Sequence, residues 1–250
     1  MPDAWFLAPV AALVFGVLAL APLGHQVLAR GVVFIDLAVA QAAAAAALWA
    51  ATLMDHPGWL STQAMAAAGA LGCAAAVAWL SRQWPAEREA LIGLLYVLGA
   101  SAALLGARQD PHGRERLGEL LAADVLWAGW PQVAVLAGCA LAVAVVGHRL
   151  ARDAVFYPVF ALVASLAVPT LGLFVVFAAL IAPALWQRNG SHRVTAWAAA
   201  VLACGAGLSA SWLLDAPSGA CVALALSALG VASVLRPRLL PSGQPVAPGP

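Results

Sequence analysis

Long apolar runs alternate with short polar interruptions along the whole chain, and most runs approach the roughly 20 residues a helix needs to cross a bilayer. The pattern predicts spans near residues 4–23, 34–54, 62–81, 90–107, 131–147, 155–169, 171–186, 194–213 and 219–235. The expected fold is all-α, a polytopic transmembrane helical bundle of eight to nine spans. One stretch sets that count. As a single helix, residues 154–186 would be about 50 Å long against about 30 Å of hydrocarbon. Pro169 and Gly172 offer a break, which predicts two short helices and a tight connection lying below the membrane surface, where protein or a cavity must surround it.

Composition agrees and closes off other classes. The chain is 64% hydrophobic and 9% charged, has no lysine, and has a mean hydropathy of +0.94. Soluble domains carry about 25% charged residues, and no polar stretch here is long enough to build one. The first residues contain Asp3 and no basic residue, so "MPDAWFLAPVAALVFGVLALAPLG" reads as a retained span and not as a signal peptide. Residues 1–235 are expected to form one transmembrane domain, and 236–250, rich in Pro and Gly, a disordered tail. Cys73, Cys139, Cys204 and Cys221 each lie in an apolar run without CxxC spacing, which points to buried packing. The net charge of +1 identifies no partner, and nothing supports nucleic-acid binding.

Arginine distribution orients the bundle. With nine spans, one side receives Arg30, Arg82, Arg88, Arg149, Arg152, Arg188, Arg193, Arg236 and Arg238, and the other receives Arg108, Arg114 and Arg116. The arginine-rich side is the inner one, so the N-terminus is expected outside and the C-terminus in the cytoplasm. By parity the most polar interruption, "RQDPHGRERLGEL", then faces outward despite its own charge.

Charges inside spans are costly and mark candidate sites. The clearest is Asp36, at the inner end of the second span, with Gln41 five residues on and about 140° further around a helix. One reading makes Asp36 and Gln41 the lining of a cation path. The other places Asp36 among headgroups, with Gln41 bonding a neighbouring helix. The five histidines are read as loop residues. His56 beside Asp55, and His112 beside Asp110, are candidates for a transient metal contact on the outer side, because imidazole and carboxylate are ordinary ligands of divalent metals. Their spacing matches no closed metal site. "RERLGELLAADVLW" reads as a short amphipathic helix at the outer surface, with Trp127 and Trp130 suited to an interface belt. "AQAAAAAALWAA" and "AAAGALGCAAAVA" are small-residue faces for close helix packing. No nucleophile elbow, phosphate loop or HExxH is present, so any nucleotide chemistry belongs to another subunit.

Five segments, in order, carry a resemblance: "RGVVFIDLAVAQAAA", "EREALIGLLYVLGA", "GELLAADVLWAGWPQV", "LGLFVVFAALIAPAL" and "DAPSGACVAL". From about residue 22 to 235 the chain resembles the membrane permeases of zinc/manganese ABC importers, a family built like the vitamin B12 and siderophore importer permeases. The resemblance implies a homodimer in a bacterial-type cell (inner) membrane, with a cytoplasmic ATPase subunit and an extracytoplasmic metal-binding protein. It implies no enzymatic activity and no bound cofactor in this chain. The cargo would be a zinc ion in preference to manganese, and ATP would sit only on the partner. Arg114, Glu115, Arg116 and Glu119 become candidates for docking the binding protein. Arg149, Arg152 and Asp153 become candidates for docking the ATPase. Two departures stand out. Gln41 replaces the family's histidine, with the acid displaced by one position, and the inner loop before the Pro-Ala helix, "GHRLARDAVFYPVFA", is shorter than the family's. That short loop keeps one alternative in view, an ATPase-independent carrier or channel for a small cation, and the few intramembrane charges keep another, a non-transporting membrane assembly partner.

Overall fold

The structure, a computed structural model, describes residues 6–53, 58–108, 118 and 123–239. Nine α-helices lie among them: α1 (Leu7–Arg30), α2 (Ile35–Leu53), α3 (Trp59–Gln83), α4 (Arg88–Ala107), α5 (Trp130–Val146), α6 (Asp153–Leu171), α7 (Leu173–Arg188), α8 (Arg193–Leu214) and α9 (Ser218–Leu239). Seven are long and apolar enough to cross a membrane, while α2 and α7 are shorter apolar helices. The chain is a multi-pass, all-helical membrane protein. α1 is central and packs on α5, α6 and α7. α2 packs on α3 and α4, α3 also packs on α6, and α9 packs on α7 and α8. Phe156, Phe160, Leu20, Leu23 and Leu180 are buried where the central helices meet. Leu94, Leu98, Leu105, Leu202, Leu213 and Leu224 point outward from the peripheral helices, as side chains solvated by lipid do.

Each predicted span has its helix, with three shifts in boundary. α1 runs seven residues beyond the expected end at 23, to Arg30. Pro22 and Gly24 resemble a stop signal, but Gly24 serves close packing: a Cβ there would overlap the Leu180 carbonyl of α7. The helix ends at Gly31, whose φ of 62° closes a Schellman motif, with Gly31 N–H donating to Leu28 and Val32 N–H to Val27. His25 is therefore a helical residue, not a loop residue. At the other end, α9 continues to Leu239, through residues 236–239 of the expected tail. The third shift concerns the break, which falls at Gly172 and not at Pro169. α6 passes through Pro169 to Leu171, and Gly172 alone, at φ 77° and ψ 153°, turns the chain into α7. Pro169 withholds its amide from the ladder and crowds the carbonyl one turn back, but it does so in the last turn, where the helix is about to end.

That joint is buried in depth as well as in packing. Gly16 of α1 lies against Leu171 and Gly24 against Leu180, so α7 runs parallel to α1. Gly16 is nine residues into α1, which puts the joint about 14 Å below the start of that helix. Its backbone stays satisfied: Gly172 N–H donates to Val168 at 2.8 Å, and Gly172 C=O accepts from Val176 at 3.1 Å. An irregular backbone at membrane depth requires such pairing. The small-residue reading also holds, since a Cβ on Gly99 of α4 would come within 3.2 Å of Gln41 and Ala42 of α2.

Candidate transport path and docking surfaces

Asp36 is the second residue of α2 and is 1% exposed. No side chain bonds either carboxylate oxygen, and only the backbone amides of its own turn, Asp36 and Leu37, lie near them. It therefore lies inside the bundle, in the first turn of α2 and close to the helix end at Gly31. Gln41 is half-buried against Gly99 of α4. It does not bond Asp36, as the 140° separation foretold.

The helix ends assigned to the inner side converge. Glu89, in the first turn of α4, accepts from Val33 N–H at 2.8 Å and so fixes the turn between α1 and α2. The Arg88 guanidinium covers Gly31. Arg30 is the hub. Its Nε donates to Asp153 Oδ1 at 3.0 Å, and its Nη1 donates to Gln26 Oε1 at 2.7 Å and to Gln26 C=O at 3.3 Å. Nη2 donates to the carbonyls of Leu150 and Ala151 at 3.0 and 2.9 Å. The guanidinium carbon sits 4.2 Å from the centroid of the Phe156 ring. Arg82 of α3 approaches the other oxygen of Asp153 at 3.9 Å. Of the three residues expected to dock an ATPase, Arg149 and Arg152 are exposed, whereas Asp153 is bound to Arg30. Beside this hub, a cleft of about 270 Å³ is lined by Pro22, His25, Gln26, Gly147, Leu150, Gln187 and Arg193.

On the opposite side, Asp124 caps the short 3-10 turn Val125–Trp127 by accepting from Leu126 N–H at 3.3 Å, and it also accepts from the Ser218 hydroxyl at the start of α9. Trp127 and Trp130 are exposed, as belt residues are. In the segment expected to form an amphipathic helix, the described part after residue 122 holds only that 3-10 turn. Asp55, His56, Asp110, His112, Arg114, Glu115, Arg116 and Glu119 lie outside the described residues. Among the described residues no cluster of three or more His, Cys, Asp or Glu side chains is placed to hold a metal. Cys73, Cys139 and Cys204 are buried, and Cys221 is half-buried, all as free thiols. Sequence reasoning missed the Arg30 hub and the Asp124–Ser218 bond. The only cue to the first was an arginine directly before a helix-ending glycine.

Comparison with known proteins bears on this arrangement. A model of the ABC 3 transport family matches residues 150–236, from the Leu150 corner into α9. In the solved structure of PsaBC from Streptococcus pneumoniae in complex with Fab, one chain matches with a TM-score of 0.70 at 15% sequence identity. The match covers 93% of this chain and 90% of that one. The two chains share a fold. No curated protein matches.

Proposed function

We propose that this chain is the membrane-spanning permease subunit of a divalent-metal ABC importer, acting as a homodimer with a cytoplasmic ATPase and an extracytoplasmic metal-binding protein. The observation that carries this reading is the ABC 3 transport family match over residues 150–236. The shared fold with a PsaBC chain is consistent with it, as are the five ordered segments of the sequence.

Asp36 gives the proposal its chemistry. A buried carboxylate without a side-chain partner is costly unless a proton or an arriving cation compensates its charge. A divalent cation moving along the bundle is such a charge, and carboxylate oxygen is an ordinary ligand for zinc and manganese. We assign zinc before manganese as cargo. Gln41 is the second lining residue. Outside, Arg114, Glu115, Arg116 and Glu119 meet the binding protein, and Asp55, His56, Asp110 and His112 offer passing contacts to the ion. Inside, Arg149 and Arg152 meet the ATPase. Contacts at the helix ends agree with the grouping of ends on which the arginine count rests. Arg30, Arg82, Glu89 and Asp153 gather at one end, and Asp124 and Ser218 bond at the end assigned to the outside.

Uptake of radiolabelled zinc and manganese under metal limitation tests the proposal. Deleting the protein should abolish uptake of one of them, and a tagged chain should bring down an ATPase from native membranes. Unchanged uptake of both metals in the deletion strain would refute it. The brevity of the corner at 147–152 favours one other reading, an ATPase-independent carrier. Uptake that survives ATP depletion would select that reading.

A further inference from the structure

The corner between α5 and α6 is pinned at its middle from two directions. The Leu150 side chain is buried at 2% exposure, and its carbonyl, with that of Ala151, accepts from Arg30 Nη2. The same guanidinium binds Asp153 at the first residue of α6 and Gln26 one turn back on α1, while its face rests on Phe156. Five hydrogen bonds match the five N–H donors that an arginine carries. Between and beside the pins, His148, Arg149 and Arg152 are exposed. The Asp153 side chain is 42% exposed but paired with Arg30, so the unpaired outward charge of the corner is positive.

We propose that Arg30 is the positioning residue of a preformed docking knob, residues 147–152, which presents Arg149 and Arg152 to an acidic surface of the ATPase subunit. This rests on the permease reading above, and it supplies what that reading lacked, a way for a six-residue corner to dock with only the 3-10 turn Gly147–Arg149 and no α-helix of its own. A loop fixed before docking loses little freedom on binding, and its unpaired arginines steer and orient an acidic partner. The planar fork of arginine is essential. Lysine at position 30 keeps a charge for Asp153 but cannot bridge two carbonyls, a carboxylate and an aromatic face at once.

The test uses the full chain in lipid nanodiscs and a purified ABC ATPase subunit from the same organism. Hydrogen exchange is followed at the amides of Leu150 and Arg152, which bond the carbonyls of Gly147 and Arg149. Arg30→Lys should speed exchange there by about tenfold while α8 and α9 keep their protection, and it should weaken ATPase capture. Arg149→Ala with Arg152→Ala should abolish capture without changing exchange. Asp153→Asn provides a second, milder loosening should the variant at position 30 fail to fold. Wild-type exchange in Arg30→Lys overturns the clamp, whatever the ATPase does. Faster exchange with undiminished capture overturns the docking role. Failure of the wild-type chain to capture any ATPase removes the permease reading and the docking role with it, while the exchange data still decide the clamp.

Discussion

Ser218 and Asp124 are 94 positions apart, yet the Ser218 hydroxyl donates directly to the Asp124 carboxylate. The bond ties the short turn before α5 to the first residue of α9, and so joins two of the five segments that carried the sequence resemblance. Asp124 also caps its own turn through Leu126 N–H.

The pair should therefore contribute measurably to stability. Hydrogen bonds to a charged group are worth about 1.5–3 kcal/mol. Ser218→Ala is expected to lower the unfolding free energy in detergent by that order. Asp124→Ala should cost more, because the cap is lost as well. In a double-mutant cycle the two changes should be strongly non-additive. Additive losses would show that the bond contributes nothing.

A second prediction concerns the α1–α7 contact. Gly24 has no room for a side chain against Leu180. Gly24→Val should push the two helices apart and destabilise the protein by about 1–3 kcal/mol, read as a lower midpoint of thermal unfolding. Gly72, which faces open space on α3, is the control, and Gly72→Ala should be neutral or stabilising. Equal effects at the two positions would remove close packing as the reason for Gly24.

Gly24 also shows where sequence reading stops. The nine helices were legible because hydrocarbon thickness fixes the length of an apolar run, and the Ala-rich faces because small side chains permit close approach. Glycine has two uses, however, and the sequence does not separate them. Gly24, just past the expected end at residue 23, is a packing site, whereas Gly31 is the stop. Asp36 was legible as a lone acid in an apolar run. Arg30 was not, because its partners Leu150 and Asp153 lie 120 and 123 positions away and only the fold brings them within reach.

The joint at Gly172 yields a third prediction. Its φ of 77° with ψ of 153° is a conformation that only glycine adopts readily. Gly172→Ala should cost about 1–3 kcal/mol, with loss of expression in the membrane as a practical readout. Pro169→Ala, inside the last turn of α6, should be tolerated. The reverse pattern would place the hinge at the proline.

Sidedness is open to direct chemistry. In a background lacking Cys221, Gly113→Cys should react with an impermeant thiol reagent on intact cells, and Ala151→Cys, on the exposed inner corner, only after permeabilisation. Labelling of Ala151→Cys on intact cells would invert the bundle and move the arginine-rich face outside.

The last prediction separates the role of Asp36 in transport from any role in folding. Most buried charges are held by partners, so removing one leaves the other stranded and weakens the fold by about 3–5 kcal/mol. Asp36 has no such partner: no cationic or other side chain bonds its oxygens, and it is 1% exposed. Asp36→Asn and Asp36→Leu should therefore leave stability unchanged or raise it, because a costly buried charge has been removed. Metal uptake should fall in both to the level of the deletion strain. Gln41→Ala, on a different stripe of α2 and packed against Gly99, should reduce uptake less. Thermal unfolding and radiolabelled zinc or manganese uptake, measured on the same preparations, give the two readouts. A stable Asp36→Asn protein that transports like wild type would remove Asp36 from the path. An unstable one would assign it to folding.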